Sequence, residues 1–408
     1  MATTAFHPAD DLLVGGVFTT DYATLSAALD TVGAAIATRP TVPVLGGVLL
    51  ESNGPHLQVS GFNYATTITV TLADAVQAPG RMLLPHQELS QLLKALTQGH
   101  TKRTADPLPV TVQAPEASCA TVTLAQSTMP IPLLPVEDYP TLPTLPEVFA
   151  CVDGASFTDQ VKRVLSAIGR DDTLPGLTGV RIEPTTTGDG LHVAGSDRYR
   201  LAVGHAPGSI GDDIAPAAGV LVKGSTLGKI LPRLGPEVSI GYGPTAFHEV
   251  VSLVSGPVSV IMSLHNDNEF IDYRTDYSSY LPTSAATTVV VNREQLLTHT
   301  QQAAKVMAAK EENSPLVLRV ASDAVSVAPT IKEGSEYLRT PQIPATTEGK
   351  ADVAVGLNPR SMTEALRTFS DPTISLHIQS PTKPVLLTQT PDGLTDTRAY
   401  RHLLMSVR

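Results

Sequence analysis

The sequence contains 408 residues, of which 42% are hydrophobic, enough for several domains with apolar cores. The formal net charge of −11 excludes a globally basic nucleic-acid-binding protein but is compatible with a local basic surface. No tryptophan is present and only 4% of the residues are aromatic, so we do not expect stacking on unpaired bases to be the main mode of binding. The N-terminal residues lack a basic region, and no apolar run approaches the roughly 20 residues that span a bilayer. We therefore predict a cytoplasmic protein with no membrane partner.

A unit of roughly 130 residues is predicted to occur three times along the chain. Each copy begins with an amphipathic helix, continues through an apolar strand and later contains a second helix that follows a short apolar strand. The opening helices are predicted at Asp21–Ala37, Ser156–Gly169 and Asn292–Ala309, and the apolar strands at Val44–Glu51, Leu177–Glu183 and Pro315–Val320. The second helices with their leading strands are predicted at Met82–Leu96, Val220–Leu234 and Val353–Phe369. Three similar domains indicate a scaffold that encloses or spans something rather than a single catalytic cleft.

Alternating segments between the helices predict half-buried strands, so each copy is expected to be α+β with mainly antiparallel sheet. These strands are Leu57–Ser60, Thr67–Leu72, Val110–Gln113, Thr121–Leu124, Val238–Gly241, Val258–Ser263, Ser375–Ile378 and Val385–Thr388. A proline-rich stretch from Pro130 to Pro146 predicts an extended connector between the first two copies, and a second boundary is placed near Leu281–Ala286. The resulting division is an N-terminal arm at 1–16 and domains at 17–147, 148–282 and 283–408.

Basic side chains lie outside the apolar stripes of the predicted helices. In the second copy, for example, Val161 and Val164 lie on the stripe, whereas Lys162 lies off it. Such cations either keep a helix surface soluble or form a functional basic surface, and periodicity alone does not decide between the two. The candidates for a functional basic surface are Arg39, Lys94, Lys162, Arg163, Arg170, Lys229, Arg233, Lys305, Arg360 and Arg367.

No catalytic constellation is apparent in the sequence. It contains no HExxH, CxxC or GxSxG motif, and the segment Gly219–Thr226 has Ser225 where a phosphate-binding loop requires lysine. Cys119 and Cys151 lack metal-ligand spacing, and the 11 histidines are scattered along the chain. We therefore predict a protein without catalytic residues, metal or cofactor.

The most distinctive motifs lie between Arg163 and Val203, where RVLSAI is followed by RDDTLPGLTGVRIE and then by GSDRYRLAV. This segment closely resembles the middle domain of bacterial DNA polymerase III β subunits, the replicative sliding clamps. The first-domain pattern of that family is matched by Arg39–Glu51 together with Ser60–Tyr64. Further matches are the segment VEDYP at residues 136–140 and the terminus YRHLLMSVR at residues 400–408. These motifs occur in the expected order over nearly the whole chain, which makes the resemblance specific.

The resemblance implies a fold and a function. The implied fold has three repeated clamp domains, with antiparallel sheets outside and two helices per domain inside, and two chains join head to tail into a ring. Such a ring encircles duplex DNA and tethers the replicative polymerase for processive synthesis, without catalysis of its own. The implied partners are double-stranded DNA bound without sequence specificity, the DNA polymerase III alpha subunit, the clamp loader, other proteins with a clamp-binding motif, and a second copy of the chain.

The resemblance also implies a pocket for partner peptides between the second and third domains. Its apolar and basic composition suits a short peptide with bulky apolar anchors and polar flanks. Carried over by position, the pocket residues are Leu177, Ser196, Arg198, Tyr199, Arg200, Leu201, Ile271, Leu403, Leu404, Met405, Val407 and Arg408.

The chain departs from the family near this implied pocket. Ser406 stands where relatives usually have proline, Ile271 replaces another customary proline, and the stretch Glu269–Pro282 is about four residues longer than usual by comparison with the family pattern. These differences favour a specialised second clamp, for example one whose pocket escapes a compound directed at ordinary clamps. An alternative from another functional class is an interaction scaffold that binds replication proteins without encircling DNA.

Overall fold

A computed structural model of the chain describes residues 14–116, 118–211, 216, 219–245, 248–265, 270, 281–333 and 338–407. By their contacts these residues divide into two compact units. Unit 1 is drawn from Met1–Gly154, Gly211–Ala215 and Lys229–Leu264, and unit 2 from Ala155–Ile210, Pro216–Gly228 and His265–Arg408. Both units contain antiparallel sheets and helices, which confirms the predicted α+β class.

Many strands pair with the next strand in the sequence, and longer segments connect the others. They are β1 Val17–Asp21, β2 Gly47–Asn53, β3 His56–Phe62, β4 Thr66–Leu72, β5 Val76–Ala78, β6 Arg81–Pro85, β7 Pro109–Glu116, β8 Cys119–Leu124, β9 Ser127–Pro132, β10 Val148–Asp153, β11 Gly179–Pro184, β12 Gly190–Ser196, β13 Arg200–Ile210, β14 Val220–Lys223, β15 Glu237–Pro244, β16 Glu249–Ser255, β17 Val258–Ser263, β18 Thr287–Asn292, β19 Leu316–Val320, β20 Ala324–Ala328, β21 Ile343–Gly349, β22 Val353–Leu357, β23 Thr373–Ile378, β24 Val385–Thr388 and β25 Arg401–Leu404.

The helices are α1 Tyr22–Val32, α2 His86–Leu96, α3 Lys102–Ala105, α4 Gly154–Val164, α5 Pro175–Thr178, α6 Gly224–Ile230, α7 Arg293–Ala309 and α8 Pro359–Arg367. Side-chain caps begin the helices that have clear start signals. Asp21 accepts a hydrogen bond from the Thr24 amide at the start of α1, and Asn292 accepts one from the Gln295 amide at the start of α7. Helices α1, α4 and α7 each follow a strand directly, and so do α2 and α6, so the repeated order of elements is confirmed.

The described residues of unit 1 form two sheets. One is five-stranded in the order β5-β1-β7-β8-β9, and the other has the order β6-β2-β3-β4-β17-β16-β15-β10. Strand β9 contains Pro130 and Pro132, so the first part of the predicted connector is an edge strand, a position where proline is tolerated. An apolar cluster that includes Leu45, Phe62 and Leu83 forms part of the core of this unit.

Unit 2 contains a long sheet in the order β14-β11-β12-β13-β25-β24-β23-β18-β21. A second sheet has the order β22-β19-β20-β21. Strand β13 pairs with β25, and Leu201 lies opposite Leu403. The two paired segments are therefore about 200 residues apart in sequence. This pairing positions most of the predicted pocket residues. Within the residues covered by the structure, no helix is long and apolar enough to cross a membrane.

Candidate nucleic-acid and peptide interfaces

Most residues of the predicted basic surface are exposed, six of them on helices, whereas Arg39 and Arg170 lie in connecting segments. Exposed cations can be reached by phosphate groups, although two members of the set, Arg170 and Arg360, also pair with Glu364. The exposed members of the predicted set are Arg39, Lys94, Lys162, Arg170, Lys229, Lys305, Arg360 and Arg367.

Arg163 and Arg233 are placed differently from these exposed cations. The Arg163 side chain is only 13% exposed, its Nε lies 2.9 Å from Oδ2 of Asp159, and its guanidinium lies 5.3 Å from the centre of the buried Tyr400 ring. Arg233 donates hydrogen bonds to the carbonyl oxygens of Lys229, at 2.6 Å, and of Asp30, at 3.0 Å. These contacts favour structural roles for both arginines, and their predicted DNA contacts stay predictions.

A small cleft on unit 2 brings three of the predicted cations together. Lys162, Arg163 and Arg367 line it, with Asp159 and Glu364 among the other lining residues. Both acidic residues already pair with arginines, so the cleft presents a mixed surface rather than a purely basic one. Such a surface can contact DNA phosphates weakly, whereas its carboxylates disfavour tight binding of a single anion.

The predicted peptide pocket is built on the junction of β13 and β25. Arg200 lies opposite Leu404, and Leu201 lies opposite Leu403. The chain then turns outward, and the Met405 amide donates a hydrogen bond of 2.9 Å to the Tyr199 carbonyl oxygen. The two segments that sequence reasoning assigned to one pocket therefore do lie together.

The pocket residues differ sharply in exposure. Leu177, Ser196, Leu201, Leu403 and Leu404 are all buried, and Leu201 and Leu403 belong to a core cluster that also contains Phe270 and Leu281. The exposed members are Arg198, Tyr199, Met405 and Val407, of which Tyr199 is 71% exposed. The exposed members thus combine apolar side chains with the Arg198 cation, whereas the leucines are packed in the core.

Ser196 and Arg198 shape the turn between β12 and β13. The Ser196 hydroxyl donates to the Arg200 carbonyl oxygen at 2.8 Å, and the Arg198 amide donates to the same hydroxyl at 3.2 Å. Arg198 has φ of 74°, in the left-handed region that usually favours glycine. The turn therefore holds Tyr199 at its tip in a defined but strained conformation.

Arg200 is not a free cation at the edge of the pocket. Its side chain is 9% exposed, its Nε lies 2.8 Å from Oδ2 of Asp197, and its Nη1 lies 2.5 Å from Oε2 of Glu364. Burial acts to raise the pKa of Glu364, but hydrogen bonds and charges from Arg200 and Arg360 outweigh it and hold that pKa below its ordinary value. Glu364 is therefore a carboxylate at neutral pH.

Asp197 and Glu364 are not among the site residues predicted from the sequence. Asp197 lies inside the SDRYR motif, which was a usable signal. For Glu364 the signal was weaker, namely its spacing of four residues from Arg360, which permits a helical ion pair; the structure shows that pair at 3.0 Å. The pairing with Arg200 had no sequence signal. Ile271 and Arg408, also predicted for the pocket, lie outside the described residues.

Comparison with known proteins identifies the family. Two family models match, the DNA polymerase III beta subunit N-terminal domain over residues 17–143 and the C-terminal domain of the same subunit over residues 278–402. The chain belongs to the DNA polymerase III beta subunit family. The resemblance inferred from the sequence motifs is therefore confirmed.

Relatives within this beta subunit family cover most of the chain. The beta sliding clamp of Streptomyces coelicolor is 29% identical over 377 residues, which are 91% of this chain and 93% of that protein. The beta sliding clamp homolog GriR of Streptomyces muensis is 34% identical over 168 residues, 41% of this chain and 42% of that protein. The crystal structure of the sliding clamp of Pseudomonas aeruginosa bound to griselimycin covers 97% of this chain and 100% of its own, with a TM-score of 0.80 and 20% identity. The last likeness shows the clamp fold. No cluster of potential metal ligands occurs among the side chains that the structure describes.

Proposed function

We propose that the chain is a sliding clamp that closes, as a homodimer, into a ring around duplex DNA and tethers the replicative polymerase. The observation with the most weight is the match to beta subunits at both ends of the chain. The exposed cations on or beside the helices support loose phosphate contact without base readout, which is what sliding requires. The alternative of a scaffold that does not encircle DNA is not favoured.

The proposed clamp has three domains, at 17–147, 148–282 and 283–408, preceded by an arm at 1–16. The helix pairs α1 with α2, α4 with α6, and α7 with α8 support this division, since each proposed domain contains one such pair. Its proposed partners are the DNA polymerase III alpha subunit, the clamp loader and other proteins with a clamp-binding motif. We propose that it acts in the cytoplasm as a processivity factor and catalyses no reaction itself.

Topological retention tests the ring directly. The protein is loaded onto nicked circular DNA with a clamp loader and ATP, separated from free protein by gel filtration, and the DNA is then linearised. The salt concentration is high enough to suppress direct electrostatic binding to linear duplex. Under this condition we expect the protein to stay on the circle and to be lost from the linear DNA, because a closed ring leaves only over an end. Binding that survives linearisation at this salt concentration, or no retention on the circle, would contradict the ring.

We further propose that the pocket of this clamp is specialised. The support is the replacement of two customary prolines by Ser406 and Ile271, and the strained turn at Arg198 next to the exposed Tyr199. Ser406 pairs with Leu357 in an isolated β-bridge, so the segment between Met405 and Val407 is tied to β22. A changed rim can discriminate against one ligand while it retains another, because specificity is a difference between two affinities.

Griselimycin is the probe for this specialisation, since a clamp has been solved with it bound. Its affinity is measured by calorimetry for this chain and for the Streptomyces coelicolor clamp, together with the affinity of a clamp-binding peptide from the polymerase alpha subunit. We expect both clamps to bind the peptide and this chain to bind griselimycin at least about tenfold more weakly, a difference of about 1.4 kcal/mol. Equal griselimycin affinity would refute the specialised pocket while leaving the clamp function intact.

A further inference from the structure

The Glu364 carboxylate on α8 lies among three arginines of unit 2. Its Oε2 lies 2.5 Å from Nη1 of Arg200, and its Oε1 lies 3.0 Å from Nε of Arg360 and 3.8 Å from Nη2 of Arg170. Arg170, Arg200 and Glu364 also line one cleft of about 480 Å³, whose other walls include Leu165 and Gly228. One carboxylate is therefore shared between cations that come from three separate parts of the sequence.

One of these cations supports the peptide surface. The Arg200 side chain, held by Asp197 and Glu364, fixes the backbone that follows the β12–β13 turn. The carbonyl oxygen of Arg200 accepts from Ser196, and the neighbouring Tyr199 carbonyl accepts from Met405. The position of Arg200 therefore sets the positions of Tyr199 and Met405, two exposed residues of the predicted pocket.

The other two cations belong to the predicted DNA-binding set. Arg170 and Arg360 are both exposed, so a DNA phosphate can approach either of them. A phosphate bound there competes with Oε1 of Glu364, because both are anions that seek the same guanidinium groups. Glu364 then interacts more strongly with Arg200, the one arginine of the three that is shielded from solvent.

We propose that Glu364 couples DNA occupancy to partner binding: DNA phosphates release it from Arg170 and Arg360, it holds Arg200 more tightly, and the rim at Tyr199 and Met405 becomes better ordered for a peptide. This inference rests on the proposed clamp function and adds a regulatory role for one residue. A clamp that binds its partners better on DNA than off it would direct them to loaded rings. Linkage requires the effect to be reciprocal, so peptide must strengthen DNA binding by the same factor.

The test measures peptide affinity with and without DNA. A fluorescein-labelled clamp-binding peptide of the polymerase alpha subunit is titrated with the full-length protein by anisotropy at low salt, alone and with a saturating unlabelled duplex of 20 base pairs. For the wild-type chain we expect the duplex to lower the peptide Kd about fivefold, at the lower end of the usual range for coupled sites. For Glu364→Gln we expect no change in the peptide Kd when the duplex is added.

Glu312→Gln is the matched control. Glu312 also belongs to unit 2 and pairs with a cation, since its Oε2 lies 3.4 Å from Nζ of Lys332, but it lines neither of the two clefts and has no contact with Arg200 among those the structure describes. This variant removes the same charge and should keep the fivefold coupling. Glu364→Asp provides a second test should the glutamine variant fail to fold, since a shorter carboxylate that cannot reach both Arg200 and Arg360 should also lose the coupling.

Two kinds of failure are distinguishable. If wild-type protein binds both peptide and duplex, but each with an affinity that is independent of the other, the coupling is refuted and the clamp function stands. The same holds if Glu364→Gln shows the wild-type coupling. If the wild-type chain binds neither peptide nor duplex, the proposed function fails, and the coupling fails with it.

Discussion

Lys162 and Arg163 are neighbours on α4, yet their surroundings predict opposite effects when each is replaced by alanine. Lys162 is exposed, whereas Arg163 is largely buried against Asp159 and the Tyr400 ring. We expect Lys162→Ala to weaken DNA binding without loss of stability. We expect Arg163→Ala to destabilise the fold without a comparable effect on DNA.

The expected changes in DNA affinity and in the free energy of unfolding can be estimated from the contacts that each variant removes. A lost phosphate contact lowers the slope of log affinity against log salt by about 0.9, or about 1.8 for a ring with two copies of the site. Each contact thus accounts for about a threefold change in affinity between roughly 50 and 200 mM salt. For Arg163, a partly desolvated cation–π contact and a helical ion pair together contribute about 1 to 2 kcal/mol to the free energy of unfolding.

Two assays separate the outcomes. Duplex binding is measured by anisotropy at several salt concentrations, and the free energy of unfolding is measured by urea titration of the same variants. A salt slope lowered as much by Arg163→Ala as by Lys162→Ala would contradict this prediction, since the guanidinium would then contact phosphate despite its burial. An unchanged slope for Lys162→Ala would equally count against an exposed basic surface.

Three further predictions concern the pocket and the buried histidines. Replacing Arg198 by glycine should relieve the left-handed strain at φ of 74° and stabilise the fold by up to about 1 kcal/mol in urea unfolding, and destabilisation would contradict this. Replacing the 2%-exposed Leu403 by alanine should cost about 2 to 5 kcal/mol, because it empties a packed position, and a loss below about 1 kcal/mol would show that the site collapses. Burial lowers the pKa of His377 to about 4 and that of His402 to about 3, from an ordinary value of 6.5. As the pH falls below about 6.5, the unfolded chain therefore takes up protons at these two positions before the folded chain does. Each histidine should lower the free energy of unfolding by about 2 kcal/mol at pH 5 relative to pH 7. His377→Gln should reduce this pH dependence in urea unfolding.

The family and the α+β class followed from the sequence because both depend on local patterns. Helical spacing predicted α4 and α7 within a few residues at most ends, although α4 ends at Val164 and not at Gly169. Motifs such as SDRYR depend on identity and order along the chain, which need no structure to be recognised. The strand β9 was missed because its prolines indicate a connector unless the strand is known to lie at an edge.

Only the tertiary structure decided which basic side chains are available to a ligand and which are held in ion pairs within the fold. The sequence presents Arg200 as a cation at a pocket edge and Arg163 as one more basic residue of a helix, but both are held by carboxylates within the fold. Glu364 is 164 positions from Arg200 in the chain, and no spacing rule connects residues so far apart. Their contact depends on how α8 packs near β13, because an ion pair forms wherever the fold brings opposite charges together.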